Sequence, residues 1–573
     1  MSAGISILWI CAGNTPAKAD YVHQTMAERS GTIAEWRIEE KQVKLILEID
    51  EVDKPIFSYL KPGKPETQLL RGNQQQVLPG KITVLEPRQR VWRFDPNSPP
   101  PMDLRGITTQ LRQPSETVTY AEIVYPLGQK PGQLTLVPPL AEDGKTAQTN
   151  VGFITFQDEV PITNYWYLSR PETLKLDWQD PWYSAFENRN LKRPHQSSVT
   201  SYLYVEPYEV RHEIIIRVQD LAPFLGLEIN RETQLNPEDL QDIREKAIQF
   251  FRQTPVTTID GKPVSPLIDQ SQFLAVDSRG VFQVLPENQP QKAVAAIFGI
   301  TLAYPTAGIP QEVQVTWNLF NDRIQTIASQ VTDPAGNMPY FVTPQDNVVV
   351  WQNLLKTYEL PEVEYLSAQN RVKLPVGLLL GLAGAIVSGV WFYRQRQEGN
   401  VKTLYYGLPI GCLLVGLVSA PFTQVAIAGT GLMLKPVSNG EAQVIFDHLL
   451  RNIYRAMDFQ DENTIYDKLA ISLDGELLTE MYLQNQQSQA LENEGGAIAK
   501  VNDVKILSVE RDKNSDQDGQ MAFKTQWTTT GTVQHWGHSH NRQNQYEAIL
   551  SIAPVDQAWK IINIDFLSES RVQ

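Results

Sequence analysis

The sequence predicts a multidomain membrane protein: two mainly-β, sandwich-like N-terminal domains, a two-helix transmembrane hairpin and a C-terminal α+β domain. Three observations predict it. Alternating runs rich in β-branched residues, broken by Pro and Gly, fill residues 20–370. Two long uncharged apolar runs follow, at 374–393 and 404–428. Helical periodicity and then four strand-like runs occupy 435–573. A chain of 573 residues is too long for one core.

The chain opens MSAGISILWICAGNTPAKAD. Its apolar run over 5–13 and the Ala17-Lys18-Ala19 triplet suit a cleavage site before Asp20. Residues 1–19 therefore read as a signal peptide, although the basic start of such a segment is missing. A buried N-terminal strand is the alternative.

Residues 20–195 read as a first β domain, with alternation in AEWRIEEKQVKLILEID and GKITVLEP. Near its end lies the densest aromatic stretch, 164–190. Trp166, Trp178, Trp182 and Tyr183, interleaved with Asp177 and Asp180, have the chemistry of a sugar platform. The same rings suit packing between two β units better, with N–H and O–H groups satisfied locally.

LKRPHQSS (191–198) reads as a linker into a second domain, 196–370, a β-sandwich with a helical insertion. Over Tyr208–Val218, His212 and Ile214 share one face, Arg211 and Glu213 the other. Asn236 caps the helix, Pro237 fills its first turn, and Leu240, Ile243, Ala247 and Phe251 form its apolar stripe. Asp260-Gly261 marks a tight hairpin turn. ILEIDEVDKPIFSYL and IIRVQDLAPFLGL are loosely alike, so a duplicated sandwich is open, without an exact repeat.

Residues 374–393 carry no charge and are long enough to cross the hydrocarbon, with Trp391 and Tyr393 at the end. The second run, 404–428, holds Pro421 and Gln424, which would kink or end it. Arg394, Arg396 and Lys402 lie between the runs and favour the cytoplasm. Both soluble regions then lie on the periplasmic, extracytoplasmic side of a bacterial inner membrane. Neither run holds an ionisable residue, which suits an anchor better than a transport path.

In 435–573 a capped helix with a stripe through Val444, Leu449, Ile453 and Met457 leads two shorter helices and four strands. This order resembles the nuclear-transport-factor-two-like cone. The resemblance implies a curved sheet around the first helix and does not decide function. LDWQDPWYS, LYVEPYEVRHE and GTVQHWGHSHNRQNQY also resemble uncharacterised bacterial membrane-anchored envelope proteins. That resemblance supplies no activity.

HWGHSHNRQNQY holds three of the seven histidines: His535, His538 and His540. The turn is expected around Gly537 and Asn541, bringing His535 near Asn544 or Tyr546. Three imidazoles suffice for zinc or copper, but the odd spacing of His535 sets it apart from the other two. A structural hairpin and an acid–base histidine in a cone cavity are the other readings. Asn514, Asp516, Asp518 and Gly519 begin like a calcium loop but lack its closing Glu, so a polar hairpin is expected there.

The net charge of −15 excludes a nucleic-acid partner. The two cysteines, Cys11 and Cys412, exclude a disulfide framework. P-loop, nucleophile-elbow and dinucleotide motifs are missing, so no catalytic residue is assigned. The sequence thus points to a membrane-anchored envelope protein that presents its domains for protein–protein interaction or assembly. The alternatives are a metal-handling protein using His535, His538 and His540, and an enzyme with its pocket in the C-terminal domain.

Overall fold

The computed structural model describes all residues except 1–25, 62–64, 67–68, 73–75, 94–113, 192–196, 277–281, 287, 359, 361, 369–370, 398–406, 429–436, 460, 494–497, 517–518 and 573. The expected signal segment 1–19 lies outside the described residues.

Alternation builds the first domain. Strands β1 (Thr32–Ile38), β2 (Gln42–Asp50), β3 (Gly80–Gln89), β4 (Thr117–Pro126) and β6 (Val151–Gln157) form a sheet in the order β6-β1-β2-β4-β3. Strands β5 (Gln133–Leu136) and β7 (Glu172–Lys175) pair in a facing sheet. Every second residue of β2, from Val43 to Ile49, enters the core with Trp36, Tyr125, Leu134, Phe153 and Leu174.

The second domain repeats this plan. Its strands are β8 (Val199–Val205), β9 (Glu209–Arg217), β10 (Val256–Ile259), β11 (Leu267–Val276), β12 (Ile297–Pro305), β13 (Glu312–Thr316), β14 (Ile327–Asp333), β15 (Gly336–Val342) and β16 (Val348–Gln352). The main sheet runs β15-β14-β8-β9-β12-β11, and β10-β13-β16 form the second. Helix α1 (Pro237–Phe251) starts where Asp239 accepts the Asn236 N–H at 2.9 Å. It buries Leu240, Ile243, Ala247 and Phe251.

The duplication is detailed. β1 pairs β6 in parallel, and β8 pairs β14 in parallel, while the neighbouring pairs are antiparallel. β3 bulges between Ile82 and Val84, β11 between Ile268 and Gln270. Opposite the bulges stand Ile123 and Glu122, or Leu302 and Thr301. The same register aligns Tyr125-Pro126 with Tyr304-Pro305, each with a proline five residues on, at Pro131 and Pro310. So the loose likeness in the sequence marks two copies of one fold.

The second domain's sheets end at Gln352, well short of residue 370. Residues 362–368 instead join the C-terminal core, where Val363 and Ala368 are buried and Ser367 bridges Ala558.

The membrane-spanning expectation holds for one helix by length and composition, Val376–Arg394. It lies in α2 (Val376–Gln397). Residues 404–428 do not form one spanning helix. Helix α3 covers only Gly407–Ser419, about 20 Å against roughly 30 Å of hydrocarbon. Pro421 cannot continue it, and the Thr423 hydroxyl folds back onto the Ser419 carbonyl at 2.8 Å. Gln424–Ala428 then forms a strand (β18) antiparallel to Arg371–Pro375 (β17). The two helices pack closely: a Cβ on Gly381 would lie 2.6 Å from the Gly416 Cα.

The C-terminal region is α+β. Helices α4 (Asn439–Ala456), α5 (Glu462–Leu469) and α6 (Gly475–Asn493) precede a meander of β19 (Ile498–Arg511), β20 (Met521–His535), β21 (His538–Val555) and β22 (Ala558–Arg571). Ser438 and Glu441 cap α4 reciprocally. Its buried face runs through Ala442, Phe446, Leu449, Leu450 and Ile453, whereas Val444, expected in the stripe, faces solvent. Leu449 and Ile453 are buried as expected, and Phe446 rather than Val444 continues their face toward the helix start.

Candidate functional site

The hairpin with the histidines turns earlier than expected. Trp536 and Gly537 take φ of 42° and 73°, a two-residue turn that pairs His535 with His538. His540 then pairs with Val533, and Asn544 with Thr529. The side chains of His535, His538 and His540 lie outside the described residues. Among the described residues no group of three metal-ligating side chains comes together.

A tryptophan at positive φ is strained, and Asn or Asp normally holds that place. Here the indole is held by another domain. Trp536 is 5% exposed and belongs to a buried cluster with Ile215, Leu274, Phe282, Val294 and Ile297 of the second β domain and Val160 and Trp182 of the first. Room for it comes from Gly299 on β12, where a Cβ would lie 2.5 Å from the indole Cζ3. The Gly537 N–H donates to Glu213 Oε2 at 2.8 Å, and Arg211 donates to the Gln534 side-chain oxygen. The tip lies against Tyr202, which a Cβ on Gly537 would strike at 2.2 Å.

This docking explains β9. The sequence gives it an apolar and a polar face, yet all nine residues are buried. Arg211 and Glu213 are covered by the hairpin. The contact continues around Lys500, whose ammonium sits 3.0 Å from Glu206 and 3.8 Å from Asp458. Tyr208 stacks on Phe459 at 4.1 Å between ring centroids. Burial would lower the Lys500 ammonium, but Glu206 and Asp458 hold it above its ordinary value. Burial pulls Glu206 upward, and Lys500 and Arg211 more than reverse this. Burial pushes Glu209 up to about 7 and Asp458 to about 6.

The 164–190 aromatics do not form one platform. Trp182 donates to the Val294 carbonyl at 2.8 Å, with the Arg217 guanidinium 4.3 Å from its ring centroid. Asp180 caps the turn at Trp182 and pairs with Arg323 at 2.8 Å. Both belong to the contact between the β domains. Trp178 stays within the first domain and donates to the Pro131 carbonyl. Asp177 accepts the backbone N–H groups of Gln179 and Asp180. Trp166 and Tyr183 are exposed on the surface.

Two other places were candidates. The interior between α4 and the sheet is filled by Phe446, Leu450, Ile453, Phe523, Trp527 and Tyr546. At its edge Asn544 donates to Tyr546 and to Glu569, whose carboxyl burial pushes up. The calcium-like stretch closes on protein groups, with Asp516 pairing with Arg511 at 2.7 Å and accepting the Ala522 N–H. Asp518 lies outside the described residues.

No family model matches the chain, and no curated protein does. Among solved structures, the chain is similar to the intermembrane space region of chloroplast protein ARC6, at 12% identity and a TM-score of 0.19. The match covers 23% of this chain and 99% of that one.

Proposed function

We propose that this chain is a membrane-anchored envelope protein whose soluble domains form one body on one side of the bilayer, presented for protein–protein interaction or assembly. The observation that carries the reading is the path of the chain around the helical pair. Val363 and Ala368, before α2, lie in the same core as α4, which follows β18. The β17–β18 ladder brings entry and exit together. A bilayer crossed by the pair would therefore leave all three soluble domains on the same side. The contacts of Trp536 and Lys500 with the second β domain support this, because they could not form across a membrane.

The finer reading has two spans. Arg394, Arg396 and Lys402, between the two apolar runs, favour the cytoplasm on the far side. The soluble body is then extracytoplasmic at a bacterial inner membrane. Its buried ionic groups join domain to domain, which suits an assembled scaffold more than a reaction centre.

Single cysteines test it, placed at Lys145, Asn337, Lys505 and Arg396 in a Cys11→Ser, Cys412→Ser background within a bacterial inner membrane. All four positions are exposed. Impermeant maleimide applied from the periplasm should label the first three together, and Arg396→Cys only after permeabilisation. Shielding of one soluble position while another reacts, or labelling of Arg396→Cys with them, defeats the proposal.

A further inference from the structure

The contact between the second β domain and the C-terminal domain is crowded with ionisable groups, and among the described residues its carboxyls share a few cations. Glu206, Glu209 and Glu213 come from the β8–β9 hairpin, Asp269 from the β11 bulge, and Asp458 from the chain after α4. The cations facing them are Arg211 from β9, Lys500 from β19 and Arg455 from α4. Tyr204 lies under the Arg211 guanidinium at 4.7 Å. Tyr208 and Tyr358 face Asp458, and Tyr202 faces Glu213.

We infer that this contact is a proton-dependent latch, which seats the hairpin tip more firmly in acid and loosens it as pH rises. Three observations combine. The groups come from both domains, so undocking changes their surroundings. Glu213, which receives the Gly537 N–H, belongs to the same cluster. Among the described residues the carboxyls share their cations: Glu206 and Asp458 both lie within 4 Å of Lys500, and Glu209 and Glu213 within 4 Å of Arg211, so protonating one of a pair lets its neighbour keep the shared cation.

Glu209, pushed to about 7, and Asp458, pushed to about 6, each hold a proton in the docked form at pH values where a solvated carboxyl has lost it. The docked form therefore binds more protons than the undocked form. Docking is firmest near the ordinary carboxyl range, weakens as pH rises toward about 7, and levels off above it. Glu206 behaves oppositely, but its held-down carboxyl loses charge only below its ordinary value, outside that window. Lys500 stays charged throughout. The inference does not rest on the membrane reading, since the contact is between soluble domains.

Hydrogen exchange on the full chain in detergent tests it. Rates at pH 5 and pH 8, corrected for intrinsic pH dependence, are read on peptides spanning 534–539 and 297–301. A peptide over Val43–Leu47 of the first domain is the internal control. Protection of the first two should be at least ~10-fold higher at pH 5, with the control unchanged. The double variant Glu209→Gln, Asp458→Asn mimics the protonated pair and should remain protected at both pH values. Lys500→Met strips Glu206 and Asp458 of their ammonium and should lower protection more at pH 8 than at pH 5. Equal wild-type protection at the two pH values overturns the latch. So does a pH response that survives in the double variant, or an unaltered profile in Lys500→Met.

Discussion

The two β domains share strand order, a parallel closing pair and a bulge at one register, yet their outer sheet faces serve different ends. On the first, Lys44 pairs with Glu122 at 2.8 Å and Tyr120 stands beside the Arg88 guanidinium at 3.8 Å. That face meets water. On the second, the position of Tyr120 is held by Gly299: Tyr120 lies opposite Glu48 as Gly299 lies opposite Ile215, five residues before the aligned tyrosines. Removing one side chain from a duplicated sheet opens a slot, and the C-terminal hairpin fills it with Trp536. A conserved plan thus gains a docking surface by subtraction, while the ionic groups around it acquire burial and shifted protonation.

The sharpest way to break this comparison is to empty the slot. Trp536→Ala should cost about 3–5 kcal/mol of docking, the range for truncating a buried tryptophan. The outer face of β9 should then exchange as freely as that of β2. Hydrogen exchange on Arg211–Ile215 peptides reads this directly, with Val43–Leu47 as reference. An Ala variant with wild-type protection would mean that the indole fills space without holding the domains.

A smaller effect is expected from restoring the first domain's residue. Gly299→Tyr puts a ring where the indole sits, and overpacking of this kind costs about 1–3 kcal/mol. The second domain itself should stay folded, because the same plan accepts tyrosine at 120. Separate thermal transitions for the β pair and the C-terminal domain, against a single expected wild-type transition, are the expected readout. The reciprocal Tyr120→Gly should leave the coupling untouched.

The architecture was legible wherever one local pattern decided it: alternation for the sheets, Asn236 and Ser438 for helix starts, an uncharged run for α2. What stayed hidden depended on distant partners. Arg211 and Glu213 look like a solvated face in sequence, and only the hairpin 320 residues away buries them. Trp536 sits between histidines that drew the chemical reading, and a Trp-Gly turn carries no usual hairpin signal. The repeat shows in the sequence only as short matches, the likeness of the β2 and β9 ends and the Tyr-Pro pairs and prolines of β4–β5 and β12–β13, because a shared strand plan constrains burial and turns rather than identities. The length of α3 turned on Pro421, where an apolar run alone could not separate helix from strand.

The smallest expected change at neutral pH separates the two cores rather than their surfaces. His212 occupies the place of Leu45, each two residues past the valine opposite an aligned tyrosine. It is fully buried, 2.9 Å from the Ser201 hydroxyl and edge-on to Trp317. Burial lowers its pKa to about 3 from the ordinary 6.5. The folded state therefore refuses a proton that the unfolded chain accepts. The stability is complete above pH 6.5 and drains away as pH falls toward 3, by roughly 1.4 kcal/mol per unit. The first domain has no such group at Leu45. His212→Leu should cost about 1 kcal/mol at pH 7.5 for the lost hydrogen bond, since Ser201 keeps Ser329 as a partner at 3.0 Å. At pH 5 it should instead exceed the wild type, because the wild type has by then lost about 2 kcal/mol. Denaturant midpoints of both proteins at the two pH values decide it. Parallel losses in both would move the acid sensitivity away from His212 and remove this distinction between the cores.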